Sequence, residues 1–253
     1  MHSKNKKIHL GGTARNPEDV ISLHHLGLRF AEIPINDPHK FRENLKSYQA
    51  AKHETGLYYL CHGPREGDPN DLKALESVYF PKLIETLSLM PLLEMRLLTF
   101  HLWLDPRFLK RKTIEYKIDF LKRLTTIAEQ AGITVCLENL SESAEHLARV
   151  FSSVPLLKMT LDLGHAELLS DRNTSCGFLQ TYPDRIQHIH LHDNRGGHSP
   201  DDDLHLPVGN GIIDFSGIFA AIRTADYSGT MTLELKPKEI EQCLEYVERL
   251  LKG

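Results

Sequence analysis

The sequence predicts an α/β fold, a single-domain (β/α)8 TIM barrel that spans residues 1–253. Eight short apolar runs alternate with longer segments of helical spacing, which is typical of parallel βαβ units. A chain of roughly this length commonly forms one such barrel rather than two smaller domains. The competing doubly wound sheet normally has fewer strands and a glycine-rich phosphate turn, and Gly11 and Gly12 are too short a motif for that turn.

The first four predicted strands are each followed by a predicted helix. The strand Ile8–Leu10 precedes the helix Pro17–Leu26, for which Asn16 is the candidate N-cap and proline occupies the first position. The next three pairs are Arg29–Ile35 with Pro38–His53, Leu57–Cys61 with Asp68–Met90, and Arg96–Phe100 with Lys112–Ala131. Apolar residues recur in the third helix with a period near 3.6, and Gly132 ends the fourth.

The second half of the chain continues the alternation. The strands are Ile133–Leu137, Lys158–Leu161, Ile186–His192 and Thr230–Leu233, and the helices are Ala144–Phe151, Asp214–Ile222 and Pro237–Leu251. Asp214 is the candidate N-cap of its helix. In the fifth and eighth strands, larger apolar residues alternate with smaller, more polar ones. We expect the apolar set to pack on the helices and the more polar set to point into the barrel.

Composition disfavours several classes of protein. The formal net charge of −4 gives no general basic surface, which argues against a nucleic-acid partner. The four cysteines, Cys61, Cys136, Cys176 and Cys243, lack a CxxC motif, so we expect free thiols in a reducing compartment, with the first two in the core. The basic N-terminus lacks the apolar segment of a signal peptide, and no apolar run reaches the ~18–20 residues of a membrane span. We therefore expect a cytoplasmic protein with no membrane partner.

One stretch, residues 188–215, is rich in histidine and aspartate. The strand Ile186–His192 places alternate histidines on one face, which is unusual for an apolar core. The loop that follows carries Asp203 and His205, and such a density of imidazoles and carboxylates favours a metal site. The glycine-rich loop has little apolar area to bury, so we expect it to be mobile unless something fastens it, as Asp203 and His205 would do if both bind a metal ion.

Histidine or carboxylate residues stand at the ends of six consecutive predicted strands. These residues are His62, His101, Glu138, Asp162, His190 and Glu234, and the loops add His165, Asp203 and His205. The carboxyl ends of barrel strands converge on the face where active sites lie. Any one of these residues alone could be a salt-bridged strand end or a turn residue. Together they place four carboxylates against five imidazoles without a strand-end lysine or arginine, and a divalent metal cluster would offset the cost of burying them.

Short motifs surround these nine residues. They are CHGP at 61–64, TFHL at 99–102, CLENL at 136–140, LDLGH at 161–165, HLHDN at 190–194, DLHLPVGNG at 203–211 and LELK at 233–236. Their order and spacing resemble the xylose isomerase-like TIM barrels from the third strand onward. That superfamily includes endonuclease IV (AP endonuclease family 2) and a branch of sugar phosphate isomerases and epimerases.

The resemblance to endonuclease IV implies up to three zinc ions. His62, His101 and Glu138 would hold the first; Glu138 would bridge to the second with Asp162, His190 and Glu234; His165, Asp203 and His205 would hold the third. The resemblance to the isomerase and epimerase branch implies that the second set alone holds one manganese, magnesium or cobalt ion. In that branch Glu138 and Glu234 would also be the catalytic residues that transfer the proton.

Three functions follow as hypotheses. The first is an endonuclease IV-like, metal-dependent hydrolase that cleaves a phosphoester at a multinuclear zinc site, because clustered metals clamp phosphate and activate water. The alternative is a sugar or sugar-phosphate isomerase or epimerase that uses one metal and the pair Glu138 and Glu234 for proton transfer. The third is a metal-binding module without turnover.

Several features favour a small sugar or sugar phosphate as the substrate over DNA. The chain is short for an endonuclease IV, and residues 63–67 lack the aromatic side chain expected for insertion into a duplex. Glu32 in FAEIPI resembles the second-strand glutamate common among sugar isomerases. With a net negative charge, any DNA binding would depend on a local basic patch and on low salt. The sequence leaves the oligomeric state open.

Overall fold

The computed structural model describes residues 8–253, which form a closed barrel of eight parallel strands. The strands are β1 (His9–Thr13), β2 (Phe30–Pro34), β3 (Tyr58–His62), β4 (Leu97–His101), β5 (Thr134–Glu138), β6 (Lys158–Asp162), β7 (Ile186–Leu191) and β8 (Thr230–Leu233). Each strand pairs with the next, and β8 closes the barrel on β1. The predicted (β/α)8 TIM barrel is confirmed. The first seven residues, on which the signal-peptide argument rests, lie outside the described part.

Helices surround the barrel. They are α1 (Pro17–His25), α2 (Pro38–Thr55), α3 (Leu72–Ala74), α4 (Phe80–Leu89), α5 (Arg111–Gln130), α6 (Ala148–Ser153), α7 (Ser175–Thr181), α8 (Phe215–Thr224) and α9 (Pro237–Lys252). The predicted N-caps are present at two of them. The side chain of Asn16 accepts a hydrogen bond from the backbone N–H of Asp19, and that of Asp214 accepts one from Gly217. Each cap satisfies a donor that the first turn of a helix leaves unpaired.

The structure differs from the predicted helices in three places. The predicted helix Asp68–Met90 is divided, because α3 leads into a π-helical turn, Leu75–Tyr79, before α4 begins. The helix predicted from Ala144 begins four residues later, after backbone turns that start at Ser143. The sequence did not predict α7, whose seven residues bury two large apolar side chains and so give no periodic pattern.

The barrel interior carries polar side chains among apolar ones. The hydroxyl of Thr99 lies 2.8 Å from that of Thr160, and because their strands are not neighbours both side chains must point inward. Thr232 lies in the same interior, where its hydroxyl is 3.0 Å from Nε2 of His188. Thr232 agrees with the alternation expected for the eighth strand, and all three threonines are fully buried.

The expectations for the cysteines and for membrane spans can be compared with the structure. All four cysteines are free thiols, and Cys61 and Cys136 are buried. The longest helix, α5, has 20 residues with charged side chains between the buried ones. Between residues 8 and 253, no helix is both long enough and apolar enough to cross a membrane.

Candidate metal centre

The nine predicted ligands lie together at the mouth of the barrel. His62, His101, Glu138 and Asp162 are the last residues of β3 to β6, His190 is the fifth residue of β7, Glu234 follows β8, and His165, Asp203 and His205 lie on the loops after β6 and β7. The parallel closed barrel explains this convergence, because the carboxyl ends of all its strands lie on one face. His101 is level with Glu138, and Asp162 is level with His190. Each of the nine belongs to a group of at least three candidate ligand atoms that lie within 4.8 Å of one another.

Glu138 lies at the centre of this cluster. Its Oε2 atom is 3.1 Å from Nε2 of His62 and 3.0 Å from Nε2 of His101. Its Oε1 atom is 3.1 Å from Nδ1 of His165 and 3.3 Å from Nδ1 of His190, but it accepts no hydrogen bond. The two oxygens therefore face different imidazoles, which is the arrangement that a bridging carboxylate needs.

Asp162, His190 and Glu234 form a second group with Glu138. Nδ1 of His190 lies 3.3 Å from Oε1 of Glu138, 3.7 Å from Oδ2 of Asp162 and 3.4 Å from Oε1 of Glu234. Donor atoms that share one ion at a bond length of ~2.1 Å lie roughly 3.0–3.4 Å apart. The four side chains are therefore spaced close to what one divalent cation requires.

A third group lies around Asp203. Its Oδ2 atom is 3.3 Å from Nε2 of His165 and 3.2 Å from Nε2 of His205. His192 also lies here, stacked on His205 with ring centroids 3.9 Å apart and planes at 9°. Because an imidazole lone pair lies in the ring plane, two parallel stacked rings cannot both bind one ion. His192 instead places its Nε2 atom 3.2 Å from Asp162, and so connects the second and third groups.

Unpartnered buried atoms indicate that a cation fits this cluster. In the described residues, Oε1 of Glu138, Nδ1 of His190 and Oδ1 of Asp203 are buried without a hydrogen-bond partner. Buried polar atoms are nearly always hydrogen-bonded, so each exception needs a physical reason. Imidazole nitrogens and carboxylate oxygens together suit divalent metals such as zinc and manganese, and a bound cation would satisfy these atoms.

The same atoms attract protons when no cation is bound. Burial opposes ionisation of Glu138, but the imidazoles of His101 and His190 hold its pKa well below the usual range. Burial alone would lower the pKa of His62, but its hydrogen bond to Glu138 and the attraction of that carboxylate raise it to about 9. Neighbouring carboxylates likewise overcome burial and raise the pKa of His205 to about 9. Protons and metal cations therefore compete for these side chains.

Glu32 and His188 also belong to the cluster, although neither was predicted as a site residue. Glu32 is 1% exposed and accepts hydrogen bonds from Nε2 of His188 at 3.0 Å and from Nε2 of His190 at 3.1 Å. Burial opposes its ionisation, but these two imidazoles hold its pKa well below the usual range. The alternate histidines of HIHLH were a signal for an inward-facing row. Their partner lies on β2, which does not pair with β7, so no local pattern revealed the contact.

The loop between β7 and α8 is fastened by a buried aspartate. The carboxylate of Asp193, 1% exposed, accepts hydrogen bonds from the backbone N–H groups of Gly209 at 2.9 Å, Gly211 at 2.8 Å and Ile213 at 3.3 Å. Its backbone also exchanges two hydrogen bonds with Leu206. Protein contacts therefore fasten this loop, in addition to any attachment that Asp203 and His205 would provide by binding a metal ion. A buried carboxylate can order a polar loop that has little apolar surface.

Comparison with known proteins gives one family match and several relatives. The model of a family described as xylose isomerase-like TIM barrel matches residues 22–250. An uncharacterized protein of Methanocaldococcus jannaschii is 29% identical over 149 residues, which are 56% of this chain and 55% of that protein. The 3-dehydro-D-guloside 4-epimerase of Escherichia coli K12 is 24% identical over 139 residues, 52% of this chain and 50% of that protein. The chain spans about half the length of the curated relatives it matches.

Solved structures share the fold over nearly the whole chain. A D-tagatose 3-epimerase-like protein superposes with a TM-score of 0.81 at 19% identity, covering 97% of each chain. The D-allulose 3-epimerase from Methylomonas sp. in complex with D-allulose superposes with a TM-score of 0.76 at 17% identity, covering 96% of this chain and 97% of that one. At these identities the likeness establishes the barrel architecture.

Proposed function

The chain belongs to the family of xylose isomerase-like TIM barrels, and from that premise we propose that it is a divalent-metal-dependent sugar isomerase or epimerase. The observation that carries the proposal is the second group of ligands, Glu138, Asp162, His190 and Glu234, at the barrel mouth. Two of its buried atoms face one another without hydrogen-bond partners. The epimerase names among the relatives and similar structures support this alternative over the hydrolase that the sequence first suggested.

The four residues of that group would hold the cation, which, when bound, polarises adjacent oxygens of a sugar. The side chain of Glu234 is 13% exposed, so it offers the accessible carboxylate for moving a proton at the carbon beside the sugar carbonyl. Glu138 is fully buried and would supply the second carboxylate through its unpartnered Oε1 atom. His62 and His101 orient Glu138 by contacting its other oxygen.

We propose a small sugar or sugar phosphate as the substrate. The Methylomonas epimerase structure contains D-allulose, a free ketose, and the Escherichia coli relative is named for a dehydro-guloside. Both names describe epimerases of small carbohydrates. DNA is a disfavoured substrate, because the chain has a formal net charge of −4 and would bind phosphates only through a local patch.

Phosphoester hydrolysis at a multinuclear zinc site is the second candidate. The observation that favours it is the surplus of ligands, because a one-metal epimerase needs neither the group around His62 and His101 nor the group around Asp203. Several adjacent cations would clamp a phosphate and activate water. Metal binding without turnover is the third candidate.

Metal analysis combined with paired activity assays tests the proposal. Protein purified without chelator is assayed on D-allulose, D-tagatose and their phosphates, and separately on an abasic-site duplex across a salt series. We expect metal-dependent sugar interconversion that is lost in Glu234→Gln and kept in Glu241→Gln, whose exposed carboxylate lies on α9. More than one metal per chain with duplex cleavage and no sugar turnover would favour the hydrolase. Bound metal with no turnover of either substrate class would favour the non-catalytic module.

A further inference from the structure

We infer that Glu32 is a positioning residue that keeps a proton on Nε2 of His190 and thereby presents the Nδ1 lone pair of that imidazole to the metal cation. The inference rests on the metal site of the proposed function and adds a residue outside the proposed ligands. Glu32 lies in β2, and its contacts with His188 and His190 of β7, a strand that does not pair with β2, place its buried side chain inside the barrel.

The contact between Glu32 and His190 determines where the imidazole carries its proton. Nε2 of His190 lies 3.2 Å and 3.1 Å from the two carboxylate oxygens of Glu32. An ionised carboxylate only accepts hydrogen bonds, so Nε2 must be the donor. A neutral imidazole has one N–H group, which leaves Nδ1 with a free lone pair.

That lone pair faces acceptors and no donor. Nδ1 of His190 is buried without a hydrogen-bond partner, and carboxylate oxygens of Glu138, Asp162 and Glu234 lie 3.3 to 3.7 Å away. While the imidazole is neutral, neither a carboxylate oxygen nor its Nδ1 lone pair can donate to the other. A metal cation, which competes with a proton for Nδ1, would satisfy all of these atoms.

His188 provides an internal comparison on the same carboxylate. Its Nε2 atom lies 3.0 Å from Glu32, so it carries its proton on the same side as His190. Its Nδ1 atom lies 2.6 Å from the hydroxyl of Thr230, which can donate to it. Glu32 therefore selects one tautomer for two imidazoles. The hydroxyl of Thr230 can satisfy the Nδ1 lone pair of His188, whereas the Nδ1 lone pair of His190 is left for a metal ion.

The arrangement predicts a specific loss of metal affinity in Glu32→Gln. The amide keeps the volume but accepts through one oxygen, and its nitrogen would place N–H groups against an imidazole that already donates. Removing a carboxylate behind a ligating histidine typically weakens metal binding by about 10–100-fold. We therefore expect a zinc Kd about 10–100-fold higher in this variant, measured by competition with a chromophoric chelator.

Thr230→Val is the matched control. It removes the hydroxyl from Nδ1 of His188 and leaves the contact between Glu32 and His190 intact. We expect its zinc Kd to stay within about twofold of the wild-type value, because the variant loses a hydrogen bond to His188 but keeps the one that orients the ligating imidazole of His190. A second measurement uses the zinc-loaded wild-type protein, where long-range nitrogen–proton NMR should show a proton on Nε2 of His190. Its signals are assigned by their loss in His190→Gln.

Either of two results would overturn the inference and leave the proposed function standing. The first is equal zinc affinity in Glu32→Gln and wild type, and the second is an unprotonated Nε2 of His190 in the zinc-loaded wild type. The NMR result needs no variant, so it decides the matter even if Glu32→Gln does not fold. A wild-type protein that binds no divalent metal would overturn the inference together with the proposed function. Weakened zinc binding in the variant with no sugar turnover in the wild type would uphold the inference and defeat the proposed function.

Discussion

At the scale of single residues, Glu138 is the side chain on which most of the site depends. Its two oxygens contact imidazoles from β3, β4 and β7 and from the turn after β6. One carboxylate therefore connects neighbouring groups of ligands, with each of its oxygens facing different histidines. A change of charge at this position would therefore alter several ligands at once.

Glu138→Gln is expected to be the most damaging conservative substitution in the site. Glutamine keeps the volume but loses the charge, and its amide nitrogen cannot accept from an imidazole N–H or bind a cation. We expect turnover to fall by at least ~100-fold, as for the loss of a positioned acid or base, with reduced metal content by elemental analysis. Glu145→Gln, an exposed carboxylate on the following loop, is the control and should behave as wild type. Near wild-type metal content and turnover in Glu138→Gln would refute the assigned role.

Gly164→Ala is expected to displace His192. An added Cβ would lie 2.1 Å from Cε1 of His192. The backbone φ of −76° at Gly164 is one that alanine adopts readily, so any loss of stability would come from this steric clash and not from backbone strain. Overpacking of this kind costs about 1–3 kcal/mol in the free energy of unfolding, and it would separate the ring from Asp162 and His205. Urea denaturation measures the cost. Gly177→Ala, whose Cβ would meet its nearest atom at 3.9 Å, should be neutral or slightly stabilising. Equal stability of the two variants would show that His192 adjusts freely.

At the scale of elements, the loop between β7 and α8 is held by hydrogen bonds to Asp193 that require no metal ion. The hydrogen bonds to this carboxylate come from residues far along the loop and fold it back over the barrel. The positive φ of 94° at Gly209 allows the turn that this path needs. The loop that carries Asp203 and His205 is therefore shaped by protein contacts, and a cation would add to an existing structure.

Asp193→Ala is expected to loosen this loop more than chelation does. The substitution leaves backbone N–H groups without their acceptor, whereas chelation removes only the attachment at Asp203 and His205. Hydrogen exchange across residues 194–213 should therefore rise throughout in the variant, and mainly near residues 203–206 in chelated wild type. Asp201→Ala, an exposed aspartate on the same loop, serves as the control and should change little. Full exchange along the whole loop after chelation alone would contradict this account.

The elements that the sequence failed to predict are those without a local pattern that distinguishes them. The π-helical turn Leu75–Tyr79 lies inside a segment whose apolar spacing is that of an ordinary helix, so periodicity could not reveal it. In contrast, α5 and the barrel strands have local patterns long enough to define their type. Their ends agree with the predicted ones to within a few residues.

At the scale of the whole molecule, the sequence predicted the mouth of the barrel better than its interior. Six of the nine proposed ligands follow from strand ends, because one topological rule brings the ends of all eight strands together, and the other three lie on the loops that follow two of those strands. Glu32 and His192 were not predicted as site residues, since their contacts depend on which strands face each other across the barrel. Those distances are set by the closure of the barrel, which no local segment encodes.

Stability of the whole protein is expected to depend on pH in opposite directions with and without metal. In the metal-free protein, nearby carboxylates overcome burial and raise the pKa of His62 and of His205 from 6.5 to about 9. The folded state then binds these protons more tightly than the unfolded state. The stabilisation is complete below pH 6.5 and is lost as the pH rises through about 9.

Metal binding reverses this trend, because the imidazoles must lose their protons to become ligands. A cation present at about 1,000 times its Kd adds ~4 kcal/mol to the free energy of unfolding, or roughly 8–16 °C in Tm for a chain of this size. Calorimetry of chelated and metal-loaded protein at pH 6.5 and 9 should show a larger metal-induced rise in Tm at pH 9, while the chelated protein is more stable at pH 6.5. His62→Gln should reduce the pH dependence of the chelated protein. A chelated protein whose stability rises between these pH values would show that the imidazoles are not held by the carboxylates as described.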